Sequence, residues 1–287
     1  MNKKLQIVDH TTWRHKELAE GPLEVIRSFG LDVPAFEDND IWWMPQEFAV
    51  DLNYSLEFHN METVCLSSPG PHLLINTPQK ITHRQLYFTK AKYALAHPAE
   101  GWWKAAEAKV DDFPSAWRTK DELVKDIEEA KLDPQTALHY TTTKLDIKSE
   151  HRVYFVNGRA TTSSPYLEHN SDGTTTSAYD ERNLEPLSLE ETYKLYSFLN
   201  IELRVIRRPK SMVVDVALLK NGKFAVLEYN PTWCSAWYDC DIDKVIEALE
   251  LSINDTSWNY VPDPYLINKA KKRPPLVLSP QMLARTQ

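Results

Sequence analysis

Met212-Val213-Val214-Asp215-Val216-Ala217-Leu218-Leu219, then Lys220-Asn221-Gly222-Lys223, then Phe224-Ala225-Val226-Leu227-Glu228-Tyr229-Asn230 is the stretch that decides the fold. Two β-branched, apolar runs separated by Asn-Gly predict an antiparallel hairpin. With Asn221-Gly222 as a two-residue turn, Lys220 faces Lys223, Ala217 faces Val226 and Asp215 faces Glu228. Two carboxylates then oppose each other across the ladder, with Cβ atoms ~4.5–5.5 Å apart. Two anions in apolar strands repel, so either one carboxyl keeps a proton or a cation lies between them; another register would separate them. Asn230 faces the same way as Glu228 and adds an amide oxygen. Three hard oxygens on one face suit Mg2+, with Mn2+ as a substitute. Mg2+ held by so few protein groups completes its shell with phosphates and water.

Cations that could receive phosphates precede this hairpin. Glu150–Val156 and Arg159–Ser163 flank Asn157-Gly158, a second hairpin signal of the type I′ kind. Read as a two-residue turn, it pairs Val156 with Arg159, Tyr154 with Thr161 and Arg152 with Ser163, and sets Arg152 on one face with Glu150 and Tyr154. Lys104 and Lys109 lie further upstream. Lysine offers a point charge to phosphate oxygens, and arginine clamps two oxygens at once.

Around these motifs the chain alternates helical and strand patterns. Asp121–Ala130 is amphipathic. Ser188-Leu189-Glu190-Glu191 is a capping box opening a helix to about Leu199. Ile242–Leu251 has helical periodicity, Thr89–His97 has helical spacing, and Leu138–Leu145 has strand composition. Gln6–Val8 and Thr63–Leu66 read as short strands, and Leu23–Phe29 as a helix stopped by Gly30. Residues 1–80 form a small α/β unit, 81–268 the main domain, and 269–287, with Lys271-Lys272-Arg273-Pro274-Pro275, an extended arm whose basic triplet is solvated. Trp42-Trp43 and Trp102-Trp103 read as core or interface rather than as a stacking platform. Trp233, Trp237 and Tyr238 either cap the sheet or line a pocket.

Composition narrows the functions. The 287 residues carry a formal charge of −8, which disfavours nucleic acid and anionic membranes as partners. No apolar run reaches the ~18 residues of a membrane span, and Asp9 and His10 interrupt the apolar start before a signal region forms. Only 7 glycines occur, and neither GxGxxG nor GxxxxGK[ST] is among the patterns. Nine histidines show no HExxH spacing, and no Ser/His/Asp or Cys/His pattern is apparent. Cys65, Cys234 and Cys240 form neither a metal motif nor a disulfide framework, which predicts a reducing cytoplasm and packing roles for Cys234 and Cys240. Nothing specifies the oligomeric state.

These residues resemble the ATP-grasp superfamily, and within it a RimK-related clade of ligases marked by one arginine and two lysines. Trp103-Lys104-Ala105-Ala106-Glu107-Ala108-Lys109 with Phe113-Pro114-Ser115-Ala116 is similar to the family's F-x-K-P-A-x-x-K…F-x-A segment. Glu150-His151-Arg152-Val153-Tyr154-Phe155-Val156-Asn157-Gly158 is similar to E-x-R-x-F-V-x-G, and Asp215-Val216-Ala217 with Val226-Leu227-Glu228-Tyr229-Asn230 to D-V-A…V-x-E-x-N. Arg84 resembles the arginine that the clade places before its first lysine. The likeness spans roughly 80–250.

It implies an α+β architecture, the ATP-grasp fold, in which two α+β lobes clamp ATP, here behind the small N-terminal α/β domain. It implies that Lys104, Lys109 and Arg84 contact the nucleotide, with Glu150 beside it, and that the hinge Thr142, Thr143, Lys144 and Leu145 offers backbone groups to adenine. Arg152, with Lys109, would stabilise the transferred phosphoryl group. Asp215, Glu228 and Asn230 would hold Mg2+. Ala105 departs from the family's proline, and Thr143 stands where an acidic hinge residue is common. The activity implied is ATP-dependent ligation of a small-molecule or peptide carboxylate to an amine through an acylphosphate. A phosphotransferase and a non-catalytic Mg·ATP-binding module are the alternatives.

Overall fold

The computed structural model describes residues 3–8, 18, 21–28, 32–97, 100–178, 184–253 and 255–286. Strands β1 (Lys4–Val8), β2 (Glu24–Ser28) and β4 (Ile41–Trp43) form a parallel sheet in the order β2-β1-β4. The segment read as a helix over Leu23–Phe29 is therefore a strand as far as Ser28; Phe29 and Gly30 lie outside the described residues. Its Val25 and Ile26 suit a strand, and pairing with β1 some 20 residues earlier overrides local periodicity. Thr63–Leu66 forms no strand; Leu66 makes only an isolated bridge to Ile253.

Helix α1 (Gln46–Phe58) follows, and the end of the chain packs on it. Helix α5 (Pro264–Ala270) is tied to α1 through Lys269–Glu47, and Arg273 pairs with Glu47 at 3.1 Å and Asp51 at 2.8 Å. Strand β14 (Val277–Leu278) pairs in parallel with β3 (Asp32–Val33). Leu276, Leu278 and Met282 are buried in the same core as Leu5, Ile7, Trp42, Trp233 and Trp237. Residues 269–286 therefore form a packed strap rather than an extended arm, and Arg273 is an ion-pair partner. The apolar residues after Pro275 find a surface there that the linear sequence does not show.

The middle of the chain forms an antiparallel four-stranded sheet, β5 (Tyr87–Lys90), β8 (Ala137–Thr141), β6 (Glu100–Ala105) and β7 (Ala116–Thr119), in the order β5-β8-β6-β7. Tyr87–Lys90 takes the first part of the segment with helical spacing, and only Ala91–Ala94 is helical. Helix α2 (Lys120–Glu129) opens with a Thr119/Glu122 capping box and buries Leu123. Trp103, Phe113, Leu138 and Tyr140 fill the core on one face. Residues 142–146 then lead directly into β9 (Ile147–Val156) of the next sheet.

That sheet runs β11-β10-β9-β12-β13, with β10 at Arg159–His169, β11 at Thr175–Ser177, β12 at Ser211–Leu219 and β13 at Phe224–Asn230. Helix α3 (Leu189–Glu202), opened by the Ser188/Glu191 capping box, covers one face through Leu195 and Leu199. Helix α4 (Ile242–Leu251) covers part of the other, packing with Tyr154 and Val213.

Asp215 faces Glu228, but by a longer route than the two-residue turn supposes. Leu219 N–H donates to Lys223 O, so the loop has three residues, Lys220-Asn221-Gly222, with Gly222 at φ +78°. This shifts the register by one, and Ala217 faces Ala225 rather than Val226. A bulge at Leu227 shifts it back, restoring Asp215 opposite Glu228. The first hairpin does have positive φ at both Asn157 and Gly158. A register shift at Thr161 then pairs Tyr154 with Thr162 and Arg152 with Ser164, one residue beyond the expected partners.

Candidate active site

Side chains of paired residues in an antiparallel sheet point the same way. Arg152 pairs with Asp215, and Asp215 with Glu228, so three charged residues form one row across β9, β12 and β13. Arg152 Nε and Nη2 reach Asp215 Oδ1 at 2.9 Å and Oδ2 at 2.8 Å, a bidentate clamp. Its Nη1 donates to Ala236 O. Burial opposes charge on Arg152, but the Asp215 carboxylate outweighs it and holds the guanidinium protonated well above its ordinary value. Asn230, one row along, donates Nδ2 to both Asp215 Oδ2 at 2.9 Å and Glu228 Oε1 at 3.0 Å.

Lys104 reaches this row from the other sheet. It sits on β6 opposite His139, on the face opposite the Trp103 core, and ion-pairs with Glu228. Burial lowers its pKa to about 8, against the attraction of Asp215. Lys109 follows five residues later, exposed and in no ion pair among the described residues. Both lysines line a cavity of about 560 Å³ between the two sheets, with Arg152, Glu228, Asn230 and Tyr238.

The remaining expected residues lie around this cavity rather than in its wall. Asp215 is fully buried behind Arg152. Glu150 accepts from Tyr166 OH at 2.5 Å and His169 Nε2 at 2.8 Å. Arg84 is buried with Cζ 5.2 Å from the Trp102 ring centre, and its Nη2 donates to Leu227 O at 2.7 Å, the carbonyl of the bulge residue. Burial lowers its pKa to about 10, and among the described residues its Nε has no hydrogen-bond partner. Thr142, Thr143, Lys144 and Leu145 connect the sheets. Leu145 packs on Ala217, Leu219, Ala225 and Leu227, an apolar floor beside the charged row.

Four more residues complete the site; Gln46, Ser68 and Tyr166 carry no motif, and Tyr238 is the pocket residue that the sequence offered. Gln46 uses both ends of its amide on the lysine loop: Nε2 donates to Glu107 O at 2.8 Å, and Oε1 accepts from Lys109 N–H at 2.9 Å. Ser68 Oγ donates to Glu107 Oε1 at 2.8 Å. Tyr166 stacks on Tyr238, ring centres 5.6 Å apart, with the Arg152 guanidinium within 5.4 Å of both rings. Pro165 is the one local signal for Tyr166, since proline inside a strand marks a bulge, and the register shifts there. Tyr238 lines the cavity with a backbone φ of +50°, whereas Trp233 and Trp237 are core. Burial pushes the Cys234 and Cys240 thiols up to about 12, which leaves them as packing groups.

The family model for the ATP-grasp domain, family 3 of the clade marked by one arginine and two lysines, matches residues 87–249. The chain belongs to that family. It is an enzyme of the ATP-grasp ligase class, and its α+β architecture is the ATP-grasp fold. No curated protein matches the sequence. Among solved structures, D-cycloserine synthetase DcsG is 11% identical over 86% of this chain and 98% of its own, with a TM-score of 0.53. The D-alanine–D-alanine ligase from Coxiella burnetii is 13% identical over 99% and 97% (TM-score 0.47). D-alanyl-alanine synthetase A from Vibrio cholerae is 14% identical over 88% and 99% (TM-score 0.43). At 11% identity the likeness to the D-cycloserine synthetase concerns the fold alone.

Within this ATP-grasp domain the donor set suits a hard cation. Two carboxylates and an amide meet, and a half-turn of the Asn230 amide presents its oxygen in place of Nδ2. Among the described residues no cluster of three or more His, Cys, Asp or Glu occurs, so the set has too few protein ligands to fill a Mg2+ shell without phosphate oxygens and water. No helix of the described residues is long and apolar enough to cross a membrane.

Proposed function

We propose that this protein is an ATP-dependent ligase joining a small-molecule or peptide carboxylate to an amine through an acylphosphate. The observation that carries the reading is the single row Arg152–Asp215–Glu228, flanked by Asn230 and met from the opposite sheet by Lys104. Arg152 and Lys104 are each already paired with a carboxylate, Asp215 and Glu228 respectively. Mg·ATP offers the same pairings in exchange, phosphates for the cations and Mg2+ for the anions.

In this reading the acid's carboxylate oxygen attacks the γ-phosphorus, the bond to the bridging oxygen breaks, and ADP leaves. The amine then attacks the acyl carbon and phosphate departs. Lys104, Lys109 and Arg152 bind and orient the phosphoryl groups and oppose the charge that accumulates on them. Asp215, Glu228 and Asn230 would hold Mg2+, or Mn2+ in its place, whose charge neutralises the β- and γ-phosphates. Arg84 and the hinge, Thr142 to Leu145, serve the nucleotide beside the apolar floor. Glu150 orders Tyr166, which in turn backs Arg152. We assign residues 81–268 to the nucleotide-binding domain and residues 1–80 to a small domain that supplies part of the acceptor wall. The three cysteine thiols support a reducing, cytoplasmic setting.

ADP release in the presence of candidate acids and amines tests the reading. A ligase forms an amide, a phosphotransferase leaves a stable phosphoester, and a binding module gives neither. Amide formation lost in both Asp215→Asn and Glu228→Gln supports it; retained turnover in the folded double variant overturns it.

A further inference from the structure

Glu107 stands between the two lysines of the loop, and its side chain lines the same cavity. Among the described residues it makes no ion pair with either lysine. It is turned to Ser68 of the N-terminal segment, and its backbone carbonyl is pinned by Gln46. Cys234, Ser235 and Ala236 continue the wall beyond Asn230. An anion alongside a triphosphate is repelled by it, so Glu107 serves the part of the cavity that the phosphates do not fill. Among the described residues it has no ion-pair partner. A carboxylate so held receives a cation.

We propose that Glu107, steadied by Ser68, is the amine-side catalytic residue: it binds the acceptor's ammonium group and takes its proton. The inference rests on the ligase reading. One ammonium proton passes to a Glu107 carboxylate oxygen, and the freed nitrogen lone pair attacks the acyl carbon. The C–N bond forms, and the C–O bond to phosphate breaks with its electrons on phosphate. The second nitrogen proton leaves with phosphate. Burial raises the Glu107 pKa to about 7, partly offset by the Ser68 hydrogen bond and reinforced by Asp263 at the start of α5. Tyr260 and Cys234 also lie within its field and stay neutral, and Lys109 is the cation on its own loop. The substrate class that follows is a primary amine presented as ammonium.

The test uses the full chain with Mg·AMPPNP and n-propylamine, which stays protonated like a lysine side chain between pH 6 and 8. Propan-1-ol is the neutral control, and binding is followed by saturation-transfer NMR. In the wild type, propylamine affinity rises roughly eightfold to tenfold from pH 6 to pH 8 as a carboxyl titrating near 7 ionises. In Glu107→Gln it is weak and flat with pH, while AMPPNP affinity is kept. Ser68→Ala removes the hydrogen bond that favours the carboxylate and moves the midpoint to higher pH. Nucleotide bound normally but propylamine affinity flat with pH, or unchanged in Glu107→Gln, overturns the proposal and leaves the ligase reading standing. Failure of AMPPNP to bind the wild type overturns the ligase reading, and the proposal with it.

Discussion

Arg152 and Asp215 form a bidentate pair across adjacent strands, at 2.9 and 2.8 Å, with Asp215 wholly buried. Breaking such a pair by removing one partner strands the other charge. Asp215→Asn should therefore destabilise the protein by about 3–5 kcal/mol, whereas Glu228→Gln, at a less buried carboxylate, should cost less. Both should lose ATP turnover. Thermal melts and ADP release measured on the same preparations check the pair of expectations.

The wild type should gain stability from ATP only when Mg2+ is present, by about 2.7 kcal/mol at a hundredfold excess of ligand over Kd. Glu228→Gln should not. A shift of equal size with ATP alone would show that the acidic row holds no metal.

Gln46 holds the lysine loop with two hydrogen bonds. Gln46→Ala should weaken AMPPNP binding about fivefold to thirtyfold, at roughly 1 kcal/mol per bond lost. Gln46→Asn, one methylene shorter, should not restore it. Calorimetric titration of the three proteins decides.

Glu107 has a folded-state pKa raised to about 7 from an ordinary 4.5. The native state then binds the extra proton between those values, so stability falls as pH rises from about 4.5 to 7. Glu107→Gln should remove that part of the slope. Relative to the wild type it should be more stable at pH 8 than at pH 5, by about 1–2 kcal/mol in an open, partly hydrated cavity. Denaturant midpoints at the two pH values measure it.

Gly222 closes the second hairpin at φ +78°. Gly222→Ala should cost about 1 kcal/mol through strain alone, with nothing within 4 Å of the added Cβ and no effect on nucleotide binding. Thermal melts with and without Mg·ATP check both halves of that expectation.

The two Asn-Gly hairpins, the capping box at Ser188, and the Asp215, Glu228 and Asn230 set were legible because each is written within a few residues. Local backbone rules connect such neighbours directly. The pairing of Asp215 with Glu228 could be read, but not the three-residue loop and Leu227 bulge that achieve it, since two compensating shifts leave the same end result. The strand at Glu24–Ser28 and the packed strap after residue 268 depend on partners roughly 20 and 240 residues distant, and short segments take the structure their partners impose. The same distance hid the cavity's other wall. By itself the sequence determined which charges the active hairpins carry and that they could meet. Tertiary structure alone decided that Gln46 would hold the lysine loop, that Tyr166 and Tyr238 would flank Arg152, and that Ser68 would bind the Glu107 carboxylate. Hydrogen bonds and burial depend on proximity in space, and these contacts join segments that share no local pattern.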